Sequence, residues 1–260
     1  MSPITFLAAL FVVTYLYIYL KAANQVRLKH GQAAYPQFEH RTPESMPAGV
    51  RRMFAREVPR LEELGFRLVA YLHKGDLRQN VDRRADSYVA LLRNDETGDF
   101  AVAAEIAVQV KHVSNSRALV WFTAELPGGA CLSTSNTPTL SVFKPDPIRR
   151  DHKFPNVNDV RFLYRIHRAL VGRDAPGRKG SLPSPGMEVP HMCETEARTL
   201  MRQVECGYFY LDESRGMCMY TWKGALVMTG KLMYGVRDVR AALRDRRALK
   251  TLKSLGLKAA

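Results

Sequence analysis

The chain has 260 residues, 46% of them apolar and 25% charged. That composition is ordinary for a folded globular protein and excludes a disordered tail, a collagen-like rod and a multi-span transporter. With 39 Lys and Arg against 25 Asp and Glu, the formal charge is +14, so the surface attracts polyanions: acidic lipid headgroups or nucleic acid.

The first element is an uninterrupted apolar run. Residues 4–20 read ITFLAALFVVTYLYIYL, and no charged side chain occurs from Met1 to Leu20. At about 1.5 Å of rise per residue, such a helix spans the roughly 30 Å hydrocarbon core of a bilayer. Tyr15, Tyr17 and Tyr19 gather at one end, where amphipathic rings favour the headgroup level. A cleaved signal peptide requires a basic leader, an apolar stretch of about 7–15 residues and small residues before the cut. Here no Lys or Arg precedes the run, the run is longer, and a cut after Ala23 places Lys21 where a small residue is needed. A buried soluble helix requires a polar face, which the run lacks. The expectation is one uncleaved transmembrane anchor over residues 1–21, in contact with the lipid bilayer through residues 4–20. Lys21, Arg27 and Lys29 follow it, so the positive-inside rule places the remaining chain in the cytoplasm. Cys131, Cys193, Cys206 and Cys218 sit in apolar or semi-apolar runs, as core thiols do in a reducing compartment.

Residues 22–47 are polar, with Pro36, Pro43 and Pro47, and read as a tether. An α+β domain is expected over 48–222. It opens on a helix in which Val50, Met53, Phe54, Val58, Leu61 and Leu64 recur at helical spacing. Gly65 stops that helix, and Pro59 is expected to kink or divide it. Strands follow over 66–73 and 87–93, then over the period-two run from Val102 to Val110, then over 118–126 and 130–135. Asn94–Asp99, Ser114–Ser116 and Pro127–Gly129 are turns, and connections that short make antiparallel neighbours. The fold class is therefore α+β, an antiparallel β-meander of about five strands with packed helices, behind the N-terminal transmembrane helix. Val102, Ile106, Val108, Val120 and Phe122 are expected to be core, on adjacent strands.

Residues 136–157 are proline-rich with little periodicity. A helix opens near Asn156 or Asn158, presents Val160, Leu163, Tyr164, His167, Leu170 and Val171 on one face, and stops at Gly172. A basic Pro/Gly/Ser loop, expected to be mobile, covers 173–190, and another helix runs from about Glu194 to Cys206. Tyr208–Leu211 and Met217–Tyr220 flank a polar turn as a β-hairpin. Residues 223–260 read as one long helix. It is apolar from Gly224 to Val236 apart from Lys231, then carries eight Lys and Arg against two Asp between Arg237 and Lys258.

The stretch FTAELPGGACLSTSN at 122–136, followed downstream by MYTWKGALVM at 219–228 and a basic helix, resembles a group of uncharacterised bacterial single-pass membrane-anchored proteins. The resemblance implies a bacterial membrane protein. It carries no assigned activity, and hence no catalytic residue.

Motifs for chemistry are sparse. GRDAPGRK at 172–179 imitates a phosphate loop, but Arg178 and Lys179 occupy the Lys and Ser/Thr places and the segment follows a helix rather than a strand. Neither C-x-x-C, H-E-x-x-H nor G-x-S-x-G occurs. His191, Cys193, Cys206 and Cys218 could converge on a metal only if helix and hairpin pack together, and ordinary packing is the expected reading. His112, His167 and Glu105 are acid–base candidates by residue type alone. His167 lies on an apolar helix face and reads as core. Glu105 and Gln109 share the alanine side of the long strand, which is either a sheet pocket or a solvated or helix-covered face. No catalytic, cofactor or metal site is assigned, and enzymatic activity is not expected.

The basic C-terminal helix is the most informative charged feature. Leu243, Leu249, Leu252 and Leu255 interrupt its cations, so it is amphipathic. Arg237, Arg240, Arg244, Arg246, Arg247, Lys250 and Lys253 are the candidate residues for binding a membrane surface of acidic phospholipids. The expected function is a membrane-tethered cytoplasmic domain that binds a protein partner or an acidic lipid surface. The alternative is an enzyme or binder acting on a lipidic or small apolar ligand in a sheet pocket. Nucleic acid is disfavoured, because no aromatic residues interleave the basic run.

Overall fold

The computed structural model describes residues 2–74, 85–108, 118–126 and 128–257. In chain order the elements are α1 (Pro3–Lys29), β1 (Gly31–Ala33), β2 (Glu39–His40), α2 (Ala48–Glu62), β3 (Arg67–Lys74), β4 (Ala85–Asn94), β5 (Asp99–Val108), β6 (Leu119–Glu125), β7 (Cys131–Ser135) and β8 (Arg149–Lys153), then α3 (Val160–Asp174), α4 (Glu188–Glu205), β9 (Phe209–Asp212), β10 (Met217–Tyr220), α5 (Trp222–Leu232) and α6 (Val236–Ser254). One sheet runs β2–β3–β4–β5–β6–β7–β8 and a smaller one runs β1–β10–β9. From β2 to β7 each strand pairs antiparallel with the next, and β8 then returns parallel to β7. The chain is therefore α+β with a mixed, mostly antiparallel sheet.

The β4–β5 turn shows why the meander forms. The Asn94 carboxamide oxygen accepts from the N–H groups of Glu96 (3.0 Å) and Thr97 (3.1 Å), while its amide donates to the Leu64 carbonyl at the end of α2 (3.1 Å). A single side chain thus closes the turn and ties it to the preceding helix.

Side-chain alternation gives the large sheet two apolar faces. Ala101 and Ala103 of β5, Val120, Phe122 and Ala124 of β6, and Leu132 of β7 pack under α2 and α3. Leu72, Val89, Leu91, Phe100, Val102 and Ala104 form the opposite face, covered by Leu182, Val189 and Met192. The register sets Ala101 against Phe122 and Val102 against Trp121. Val102, Val120 and Phe122 are all buried on adjacent strands, as expected, but Val102 lies on the face opposite the other two. Both edges of the β5 alternation are apolar, so its period could not say which edge meets Phe122. Glu105 falls on the alanine face, buried beneath α2. The side chains of Ile106 and Val108, and residues 109–117 with Gln109 and His112, lie outside the described residues.

Residues 22–47 are built into the fold rather than strung between parts. Ala23 is 0% exposed and joins Phe209, Cys218, Tyr220 and Ala225 in a third apolar cluster. β1 pairs with β10, β2 pairs with β3, and Met46 enters the main core. Other boundaries also moved. Pro59 sits in the last turn of α2 without dividing it. Asp159 caps α3 by accepting from the Arg161 N–H (2.9 Å), and the helix continues through Gly172 to Asp174. The loop after it is tied down by backbone bonds: the Gly180 N–H donates to the Thr97 carbonyl in the β4–β5 turn (3.0 Å) and the Ser181 N–H to the Glu125 backbone carbonyl at the end of β6 (2.8 Å). α4 opens at Glu188 rather than Glu194. The C-terminal segment is two helices, because Gly235 takes φ +80° between them.

His167 is fully buried, as its place on an apolar helix face implied. Its Nδ1 lies 3.1 Å from the Thr134 hydroxyl and its Nε2 lies 3.7 Å from Asp99. Asp99 also accepts from Tyr164 (3.0 Å) and Arg168 (3.0 Å). Burial pushes the His167 ring below its ordinary 6.5, against the pull of Asp99. Burial would raise the Asp99 carboxyl, but His167 and Arg168 hold it below its ordinary range. Below pH 6.5 the unfolded chain therefore binds more protons at His167 than the folded chain does. Stability is full above that pH and falls as pH decreases through it. The thermal midpoint of the detergent-solubilised protein should drop between about pH 7.5 and about pH 5.5, and His167→Gln should shrink the drop. A drop of equal size in that variant would show that His167 does not cause it.

Candidate functional site

Residues 136–148 connect β7 to β8 without regular pairing, so their carbonyl groups need donors from elsewhere. Four cations supply them. Lys153 Nζ donates to the Thr139 carbonyl (2.8 Å) and the Ser141 hydroxyl (3.0 Å). Lys231 Nζ donates to the Val142 carbonyl (2.6 Å), and Arg244 to the Pro138 carbonyl. Arg240 reaches the Ser141 carbonyl (2.6 Å) and, across the α5–α6 corner, the Lys231 carbonyl (3.2 Å). These bonds lay α6 beside the β8 edge, where Leu252 is buried in the main core and Ala248 and Leu255 pack next to it.

Between α6 and β8 lies a groove of about 610 Å³. Among the described residues, Lys153, Arg240, Arg244, Arg247 and Lys250 line it together with His152, against one carboxylate, Asp151, which faces Arg149 at 2.9 Å. Burial lowers the Lys153 pKa, and the neighbouring Arg244 and Arg149 lower it further. Burial likewise pushes His152 below its ordinary 6.5, with Arg173 adding to the shift. The groove is thus a crowded positive pocket in which an entering anion relieves repulsion. A phosphate or carboxylate there would gain charge-assisted hydrogen bonds from several donors.

Of the seven residues singled out in the sequence, Arg240, Arg244, Arg247 and Lys250 line this groove. Arg237 stands at the α5–α6 corner beside Asp238 (3.4 Å), and Arg246 and Lys253 are exposed outside the groove. Arg240 and Arg244 have a packing duty as well, since they hold loop carbonyls. Lys153 and His152 were missed in the sequence. RRDHK at 149–153 has no apolar alternation, and its legible signal was the charge concentration that edge strands carry.

A second, smaller pocket of about 200 Å³ lies on the opposite face of the sheet, over Val102 and Trp121. His191 Nε2 sits 2.7 Å from Glu125 there, and Lys74 pairs with Glu196 at 2.6 Å. Cys131 stands directly across from Glu125 in the β6–β7 register. Burial pushes its thiol up to about 11, so it stays protonated at neutral pH. Cys193 and Cys218 are buried free thiols, and among the described residues no group of three or more His, Cys, Asp or Glu is placed to hold a metal.

The chain matches no protein-family model, no curated protein and no solved structure. α1 is long and apolar enough to cross a membrane, and its most apolar 18-residue window is 0% buried by the rest of the chain.

Proposed function

We propose that this chain is a single-pass membrane protein whose cytoplasmic domain binds acidic phospholipid headgroups in the groove between α6 and β8. The observation that carries the reading is the convergence of five cations on one groove of a domain joined directly to an uncovered apolar helix. Retention of α1 is supported by its lower half: Ala23 is buried, and the Tyr19 hydroxyl donates to the Leu226 carbonyl (2.8 Å). Signal cleavage after Ala23 would strip both contacts from the domain. Lys21, Arg27 and Lys29 favour the cytoplasmic side for the domain. Each Lys or Arg near an anionic leaflet contributes about 1 kcal/mol, and the anchor keeps the groove at high effective concentration beside the lipid.

A second reading is supported by the His191–Glu125 pair facing the smaller pocket: a binder of a small apolar ligand. The protonated Cys131 thiol weighs against nucleophilic catalysis there.

A chain beginning after residue 46 would lack β1, β2 and Ala23, so the test uses the full chain in detergent micelles. Titration with short-chain phosphatidylglycerol should give binding that short-chain phosphatidylcholine does not, and the binding should weaken from low to physiological salt. Changing the groove residues Arg247 and Lys250 together to Gln leaves the loop-binding cations intact and should weaken binding by up to about 2 kcal/mol in the additive limit. Equal binding of the two lipids would defeat the proposal.

A further inference from the structure

α5 lies antiparallel along the lower half of α1, and a ladder of contacts fixes the relative height of the two helices. The Arg27 guanidinium stacks over the Trp222 ring at 4.7 Å, and Ala23 and Ala225 are buried in one cluster. The Tyr19 hydroxyl reaches the Leu226 carbonyl and would lie 3.3 Å from a Cβ placed on Gly230. The Tyr15 hydroxyl lies 3.4 Å from the Met233 sulfur. From Arg27 back to Tyr15 is about 18 Å along α1, and from Trp222 to the cap residue Met233 is about 17 Å along α5.

Lys21 marks where the charge-free run of α1 ends. Tyr15 lies about 9 Å beyond it, inside that run, at 1.5 Å per residue. The α5–α6 corner therefore stands at a height where α1 carries no charged side chain, beside its tyrosine cluster. Its composition agrees: residues 232–236 read LMYGV, with Tyr234 89% exposed and Leu232, Val236 and Val239 also exposed. Of the nearest cations, Lys231 donates to the Val142 carbonyl and Arg240 to the Ser141 carbonyl, while Arg237 and Asp238, both more than half exposed at the start of α6, face each other at 3.4 Å.

We infer that the α5–α6 corner is a second membrane contact, a monotopic wedge that enters the same leaflet that α1 crosses. This rests on the membrane reading of α1. A depth of about 9 Å falls within the 5–10 Å to which interfacial helices bury their apolar faces. The occupant is lipid, because the exposed corner is continuous with the uncovered apolar surface of α1 and lies at its level. The wedge would also fix how the domain is held against the membrane, since α6 leads from the corner directly to the cationic groove.

The test places single tryptophans in the full chain, reconstituted in phosphatidylcholine–phosphatidylglycerol vesicles whose acyl chains carry bromine. Emission of the parent chain, from Trp121 and Trp222, is subtracted. Leu10→Trp reports the anchor, Tyr234→Trp the corner, and Tyr210→Trp a water-exposed position on β9. The expected result is bromine quenching and a blue shift for Tyr234→Trp and Leu10→Trp, with quenching by aqueous iodide for Tyr210→Trp alone. Quenching at Leu10→Trp with iodide access at Tyr234→Trp overturns the wedge and leaves the anchor standing. Protection of Tyr234→Trp from both quenchers means that protein covers the corner, which also overturns the wedge. Loss of bromine quenching at Leu10→Trp defeats the anchor, and with it a wedge defined by the leaflet that α1 crosses, whatever Tyr234→Trp shows.

Discussion

Phe122→Ala is expected to lower the folding stability by about 3–5 kcal/mol, a large share of the 5–15 kcal/mol typical of a domain. Phe122 is fully buried at the centre of β6, with ring centroids at 5.6 Å from Phe66, 4.9 Å from Tyr164 and 5.7 Å from His167. The strand beside it offers Ala101 and Ala103, which cannot reach into the space the ring leaves, so the cavity stays open. The same truncation on the other face, Val102→Ala, removes fewer atoms from the smaller cluster and should cost less. Chemical denaturation in detergent measures both. A midpoint for Phe122→Ala that matches the parent chain would show the register to be wrong.

Glu188→Ala is expected to cost about 3 kcal/mol, because it strands a charge rather than a methyl group. Arg93 and Glu188 are 6% and 4% exposed and meet at 2.5 Å, joining β4 to the first turn of α4. Burial raises the Glu188 carboxyl, but Arg93 and the Gly186 N–H (2.7 Å) outweigh that and hold it below 4.5. With Glu188 gone, Arg93 keeps Asp95, which is half exposed, so the loss falls at the low end for a broken buried pair. Replacing both partners by apolar residues, Arg93→Met with Glu188→Leu, removes the unpaired charge and should recover most of the stability. Equal stabilities for Glu188→Ala and the double variant would show that the pair carries no such coupling.

The elements that depend on near neighbours were legible in the sequence. The apolar run of α1, the β3–β7 meander with its Asn94 turn, the α3 face that buries His167 and the β9–β10 hairpin are each set by local periodicity, turn chemistry or capping. Their forces act within a few residues, so the order of residues is enough to state them. What the sequence left open was what each apolar or charged face would meet. β1 and β2 have only three and two residues and stand as strands through partners far along the chain, β10 and β3. β8 is wholly polar and pairs parallel to β7 after a loop whose carbonyls are satisfied by Lys231, Arg240, Arg244 and Lys153. The period of β5 gave two apolar edges but not which one would face Phe122. Seven cations along one helix could be read in order, yet only the packing of α6 against β8 separated the four that line the groove, two of which also hold the loop, from the three that stand outside it. Hydrogen-bond satisfaction and close packing are decided between segments distant in sequence, and these long-range partners turn a basic helix into one wall of a site.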